Sequence, residues 1–210
     1  MTEHSPADVL KQTGAREGHF LLESGHHGDL WLDLELLCTF PRRLQALCSD
    51  LARRLQPFQI EVICGPLVEG AFVALLVASE LDAASAYSER FSQSANDGLF
   101  PAGYRVPRPL REVVRGKRTA IVNDVINAGS AVRGTFEDLR ACGAHTLAIG
   151  TLLTLGDSAQ DFAHSENVSL ETLLHVPNRL WKPAECPLCA RGVPLEDIAG
   201  FRHSLGEGAV

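Results

Sequence analysis

The chain of 210 residues, 45% hydrophobic and 21% charged, has the length of one α/β domain with modest additions and enough apolar content for a sizeable core. Its net charge of −7, with interspersed signs, disfavours a dedicated nucleic-acid surface but allows a local basic pocket for a phosphorylated metabolite. The opening Met1 to Pro6 lacks a basic region followed by an apolar one, and no apolar run approaches the roughly 20 residues of a membrane span, so a soluble cytoplasmic protein is expected.

Ser5 and Pro6 suit a helix start, predicting a short helix to about Gly14. The stretches 18–25 and 30–36 read as two short strands joined by the polar turn 24–29. His26, His27 and Asp29 in that Gly-rich turn are expected to be solvated. From Phe40 a helix is predicted to Leu55, with Leu44, Leu47, Leu51 and Leu55 on one core-facing stripe. Residues 61–64 form a buried strand that ends in the loop Gly65-Pro66-Leu67-Val68-Glu69-Gly70, and an apolar helix follows over 71–81. A strand is expected at 83–87. Residues 88–103 lack clear periodicity, and a loop of that length in a compact domain suggests a lid.

Arg111, Arg115, Lys117 and Arg118 form a local basic cluster that reads as a solvated face. The run Ala120-Ile121-Val122 has the unbroken apolarity of a strand covered on both faces. Asn123 and Asp124 fall at its carboxyl end, and Asn127-Ala128-Gly129-Ser130-Ala131 leads into a helix with Val132, Phe136 and Leu139 at helical spacing. Gly129 permits a left-handed backbone and Ser130 is the expected cap. A helix amino terminus preceded by small residues offers free N–H groups and partial positive charge, the requirements of a phosphate cradle. Strands at 145–155 and 170–175 follow, then a loop-rich tail over 176–210. The alternation predicts a predominantly parallel sheet with helices on both faces.

Six cysteines do not make a disulfide scaffold here. Cys38, Cys48, Cys64 and Cys142 lie among apolar segments and read as buried thiols. Cys186 and Cys189 have metal-ligand spacing, but no second Cys pair or paired-His motif follows. A turn with two free thiols ranks first, zinc completed by a distant Cys or His second, and redox activity third.

Taken together these motifs resemble the type I phosphoribosyltransferases, most closely the orotate phosphoribosyltransferase family, over about residues 18–155. The matching stretches are 20–25 with 30–33, the loop 65–70, and the run 122–133. The resemblance implies one phosphoribosyltransferase-like domain over 1–210, with a mostly parallel central sheet, a small hood built from elements in 1–35, and an extension at 176–210. It implies that a base nitrogen displaces pyrophosphate from Mg-bound phosphoribosyl diphosphate. Asp124, beside Asn123, would contact the ribose hydroxyls, 127–131 the 5′-phosphate and 65–70 the pyrophosphate. A lid carrying Glu89 and Arg90 would exclude water, and a homodimer is expected.

The departures from the family pattern concern charge. Asn123 replaces an acid, Glu23 stands where the family has a base-binding lysine, and Asp157 follows the late strand where an arginine is usual. Glu69 occupies a position often filled by lysine, and the lid has no lysine. Acids in the base pocket would repel the carboxylate of orotate. Two readings follow: a phosphoribosyltransferase acting on a base other than orotate, or a non-catalytic phosphoribosyl-binding regulatory member of the fold.

Overall fold

The computed structural model describes residues 14–21, 25–32, 37–92, 102–177 and 179–197. The expected helix at 5–14 and the second half of the strand at 30–36 lie outside them, save Gly14 and residues 30–32. A six-stranded sheet runs in the order β5-β4-β3-β6-β7-β8, formed by β3 (Val62–Pro66), β4 (Ala84–Ser92), β5 (Ala102–Arg105), β6 (Arg118–Ile126), β7 (His145–Leu155) and β8 (Ser169–Val176). All neighbouring pairs are parallel except β4 with the edge strand β5. A second sheet joins β1 (Arg16–Leu21), β2 (His27–Trp31) and β9 (Leu180–Trp181) in antiparallel order.

Alternation along the strands builds two cores, one on each face of the large sheet. Ile63, Ala120, Val122 and Leu152 meet α1 (Pro41–Leu55) and α2 (Glu69–Leu81), which contribute Leu47, Leu51, Leu55, Val73 and Val77. Val62, Cys64, Ile121 and Ile149 face the other way, toward Val132, Phe136 and Leu139 of α4 (Ser130–Ala141) and Phe162 of α5 (Ser158–Ser165). The predicted leucine stripe of α1 is therefore core. Each such side chain contributes roughly 1.5–3 kcal/mol by leaving water. Phe136 and Phe162 meet edge to face at 5.5 Å, fixing α4 against α5.

The short helix α3 (Arg111–Val114) lies between β5 and β6. The basic cluster around it is paired, not merely solvated. Arg111 engages both oxygens of Asp138, and Lys117 and Arg118 converge on Glu61. Arg115 pairs with Glu112. α5 has no counterpart among the expected elements, although Ala159, Phe162 and Ala163 have helical spacing and are buried.

The tail after β8 is not only loop. β9 pairs with β2, and after α6 (Pro187–Ala190) the segment to Glu196 runs beside β1, through Leu21 N–H to Glu196 O at 2.9 Å and Glu196 N–H to His19 O at 2.8 Å. The carboxyl-terminal segment thereby completes the small sheet.

Candidate functional site

From β3 the chain moves outward to β4 and β5, then returns to the other side of β3 to lay down β6, β7 and β8. In open α/β sheets such a reversal opens a crevice outside the carboxyl ends of the two central strands. Both sequence-predicted loops emerge there, 65–70 from β3 and 127–131 after β6. β3 pairs with β6 only as far as Cys64 opposite Ile121, whereas β6 continues along β7 to Ile126 opposite Thr154. Asn123 and Asp124 thus stand on a strand that outruns β3. They lie near its carboxyl end, as expected, and pairing with the long β7 carries the strand two residues further, to Ile126.

Close backbone approach folds the first loop on itself and seats it against β6. A Cβ on Gly65 would collide with the carbonyl of Gly70, and one on Gly70 would collide with the Asn123 amide oxygen and Pro66. Only glycine fits either position. Asn123 Nδ2 donates to the Val125 carbonyl at 2.7 Å, so this side chain braces its own strand while its amide oxygen lies against Gly70 of the loop 65–70. Leu67 N–H donates to Ser88 O at 2.9 Å, tying the loop to β4. The Leu67–Val68 peptide is cis, and both side chains are exposed. Glu69 sits in the first turn of α2, where the helix dipole favours an acid.

Gly129, not Ser130, is the cap of α4. It takes the left-handed conformation at φ 79°, Ser130 becomes the first helical residue, and the cap makes no side-chain hydrogen bond. A glycine at the cap turns the chain without covering the terminal amides, so the small loop Asn127-Ala128-Gly129 and the Ser130-Ala131 turn suit an anion. Thr135 of the same helix bonds Ser88 through their hydroxyls at 2.6 Å, which locks α4 to β4 beside the first loop.

The remaining predicted residues scatter. Glu89 and Arg90 lie within β4, opposite Arg105 and Tyr104 of β5, so both flanks of the expected lid form an antiparallel hairpin instead of irregular loop. β4 thus runs past its expected end at Tyr87 as far as Ser92, and the Arg105 guanidinium, 4.4 Å from the centre of the Phe91 ring, adds to the pairing. The lid's middle, 93–101, and Glu23 lie outside the described residues. Asp157 follows β7, its side chain 83% exposed and 3.8 Å from His175. A cavity of about 400 Å³ between the small sheet and the end of β8 is lined by Glu17, Gly18, Asp29, Leu30, Val176, Pro177 and Arg179. Arg179 is held by Asp29 at 2.8 Å.

A second constellation lies in the small sheet. His19 of β1, His27 of β2, Cys186 at the cap of α6 and Cys189 within it bring one nitrogen or sulfur atom each to within 4.8 Å of one another. His27, expected in a solvated turn, lies in β2 and is buried, because pairing with Leu21 and Trp181 draws that turn into the sheet. His19 is not singled out by the sequence at all. The available signal is a pair of histidines eight residues apart, each in a short strand beside glycine. Of the other cysteines, Cys48, Cys64 and Cys142 are buried as expected, whereas Cys38 is only half-buried; burial pushes the thiols of Cys48 and Cys64 up to about 12, which makes them poor nucleophiles.

No protein-family model matches the chain. It is 30% identical over 192 residues to the orotate phosphoribosyltransferase of Thermotoga maritima, covering 90% of this chain and 94% of that one. It is 28% identical over 179 residues to the enzyme of the same name from Caldanaerobacter subterraneus subsp. tengcongensis, covering 85% and 87%. Among solved structures, orotate phosphoribosyltransferase from Aeropyrum pernix superposes with a TM-score of 0.64 at 20% identity, covering 82% of this chain and 94% of that one. Adenine phosphoribosyltransferase from Thermoanaerobacter pseudethanolicus does so at 0.58 and 13%, covering 70% and 88%.

Proposed function

Because the chain belongs to the orotate phosphoribosyltransferase family, and is thereby a type I phosphoribosyltransferase, we propose that it transfers phosphoribosyl from phosphoribosyl diphosphate to a nitrogenous base other than orotate. The observation that carries this reading is the convergence of two glycine-shaped loops at the reversal between β3 and β6, one of them opening the glycine-capped end of α4.

In this reading residues 127–131 hold the 5′-phosphate through main-chain N–H groups, and Asp124 accepts hydrogen bonds from the ribose hydroxyls. The loop 65–70 surrounds the diphosphate. The bond from the anomeric carbon to the diphosphate oxygen breaks with its electron pair leaving on diphosphate, and the base nitrogen supplies the new pair from the opposite side. Hydrolysis competes at that carbon, so the β4–β5 hairpin and the segment it carries would serve to exclude water. Magnesium, when bound, would neutralise the departing diphosphate. One protein carboxylate suits it, since this ion keeps water and phosphate oxygens as most of its ligands, and Asp124 supplies an acid in the crevice.

Charge supports a base without a carboxylate. Glu17 and Asp29 line the cavity below the small sheet, the lining cation Arg179 is already paired, and Asp157 lies at the end of β7. Acids in excess of cations repel an anionic base. Asn123 favours a second reading, a non-catalytic ligand-binding member, because its amide braces Val125 where the family pattern places an acid. Diphosphate release measured with a panel of bases, orotate included, separates the two. Turnover with orotate overturns the base assignment, and saturable binding of phosphoribosyl diphosphate without turnover on any base favours the regulatory reading. The exposed Phe72 and Leu75 of α2 supply an apolar face for the expected homodimer. Sedimentation of Phe72→Glu tests it, with a monomer expected.

A further inference from the structure

We propose that His19, His27, Cys186 and Cys189 form a structural zinc site that staples the carboxyl-terminal segment to the small sheet. The four ligand atoms come from three separate parts of the chain and lie within 4.8 Å of one another, and four of their separations are close to the edges of a metal tetrahedron. With zinc bonds of about 2.05 Å to nitrogen and about 2.3 Å to sulfur, tetrahedral angles place two nitrogens about 3.3 Å apart and a nitrogen and a sulfur about 3.6 Å apart. The observed separations are 3.1 Å for His19 Nε2 to His27 Nδ1, 3.4 Å for Cys186 Sγ to His19 Nε2, 3.7 Å for Cys189 Sγ to His19 Nε2 and 3.3 Å for Cys189 Sγ to His27 Nδ1.

The surroundings prepare the donors. His19 Nδ1 lies 2.9 Å from the Val193 carbonyl, and a carbonyl can only accept, so this nitrogen carries the proton and Nε2 turns a lone pair toward the cluster. That arrangement is the usual outer support of a metal-bound imidazole. Leu21 stands directly opposite His27, and His19, two residues earlier in β1, falls on the same face, within reach of His27. Pro187 opens the single turn of α6, which sets the two sulfurs on one face. Two thiolates and two neutral imidazoles balance the charge of a divalent ion. His19, His27 and Cys186 are 1%, 5% and 3% exposed, so water does not serve their polar atoms, and one ion satisfies all four donors at once. Protein atoms fill all four positions, so the site is closed and structural, not catalytic.

A three-stranded sheet needs such a device. β9 has only two residues, and a two-stranded β1–β2 ribbon with so small a core is marginal alone. Zinc would bind β1 and β2 to the segment that follows β9 and so hold the sheet complete.

The test reads metal rather than activity, so its outcome is independent of which base the protein uses. Full-length protein purified without chelator from zinc-supplemented cells should carry about one zinc per chain, and Cys189→Ser should lose most of it while Cys38→Ser keeps it. Cobalt added to the metal-free chain should give the intense visible bands of a tetrahedral site and a thiolate-to-cobalt charge-transfer band, both absent in Cys189→Ser of unchanged far-UV circular dichroism. Absence of zinc together with absence of those bands overturns the proposal. A mass lower by two hydrogens, marking a Cys186–Cys189 disulfide in the freshly purified protein, overturns it in favour of redox chemistry.

Discussion

The crevice at the end of the large sheet and the cluster in the small sheet are built by opposite means. The first is made of backbone: Gly65, Gly70 and Gly129 clear space and turn the chain, and the groups on offer are main-chain amides. The second is made of side chains, two imidazoles and two thiols carried by segments more than 160 residues apart. A backbone-made site is a contiguous string with its own local conformation, whereas a side-chain cluster exists only once remote segments have met. Damage should therefore be local and functional in one region, global to its sheet in the other.

The sharpest break is Asp124→Ala, which should lower the rate of diphosphate release by about a hundredfold or more while leaving zinc content unchanged. Steady-state kinetics with metal analysis on one preparation measures both. Next comes Gly129→Val. A β-branched residue forced to φ 79° costs about 1–3 kcal/mol and moves the amides of α4, so the thermal shift caused by phosphoribosyl diphosphate should vanish.

Chelation of zinc should lower Tm by several degrees yet keep that ligand-dependent shift, since the crevice does not depend on the cluster. Zinc needs both thiols deprotonated, so its stabilisation is present near neutral pH and is lost as pH falls. Melting curves with and without chelator across pH should converge on the acid side.

The smallest effect is expected at Glu61, remote from both regions. The Arg118 backbone N–H and the Lys117 ammonium hold its carboxyl below the usual carboxylate range. A depressed folded-state value adds stability above the unfolded value and loses it as pH falls through the folded one. Glu61→Gln should melt slightly below the parent at neutral pH and level with it in strong acid.

The same division explains what is legible in the sequence. The apolar runs of β3, β6 and β7 and the leucine stripe of α1 carry periodicity that solvent exclusion imposes locally, and the structure places them as expected. The loops 65–70 and 127–131 are legible because glycine positions report backbone needs directly. Composition favours Ser130 as a cap, while the turn geometry requires the left-handed Gly129. The β4–β5 hairpin is hidden because its pairing is made by a partner strand beyond the unpatterned stretch. His19 escapes notice, and His27 reads as a solvated turn residue, because nothing near them in sequence resembles Cys-Pro-Leu-Cys; only the pairing of β9 with β2 and of Glu196 with β1 brings them to the cysteines.

The return of the 193–196 segment to β1 also sets an order of assembly. The β3–β8 sheet is built from strands close to one another in sequence, but the β1–β2 pair must wait for residues 180–196 before β9 and Glu196 can flank it. Closing so long a loop carries a large entropic cost and slows folding. The hairpin made first is thus completed last, and a chain cut short after β8 would present a finished large sheet with its oldest hairpin still open at both edges.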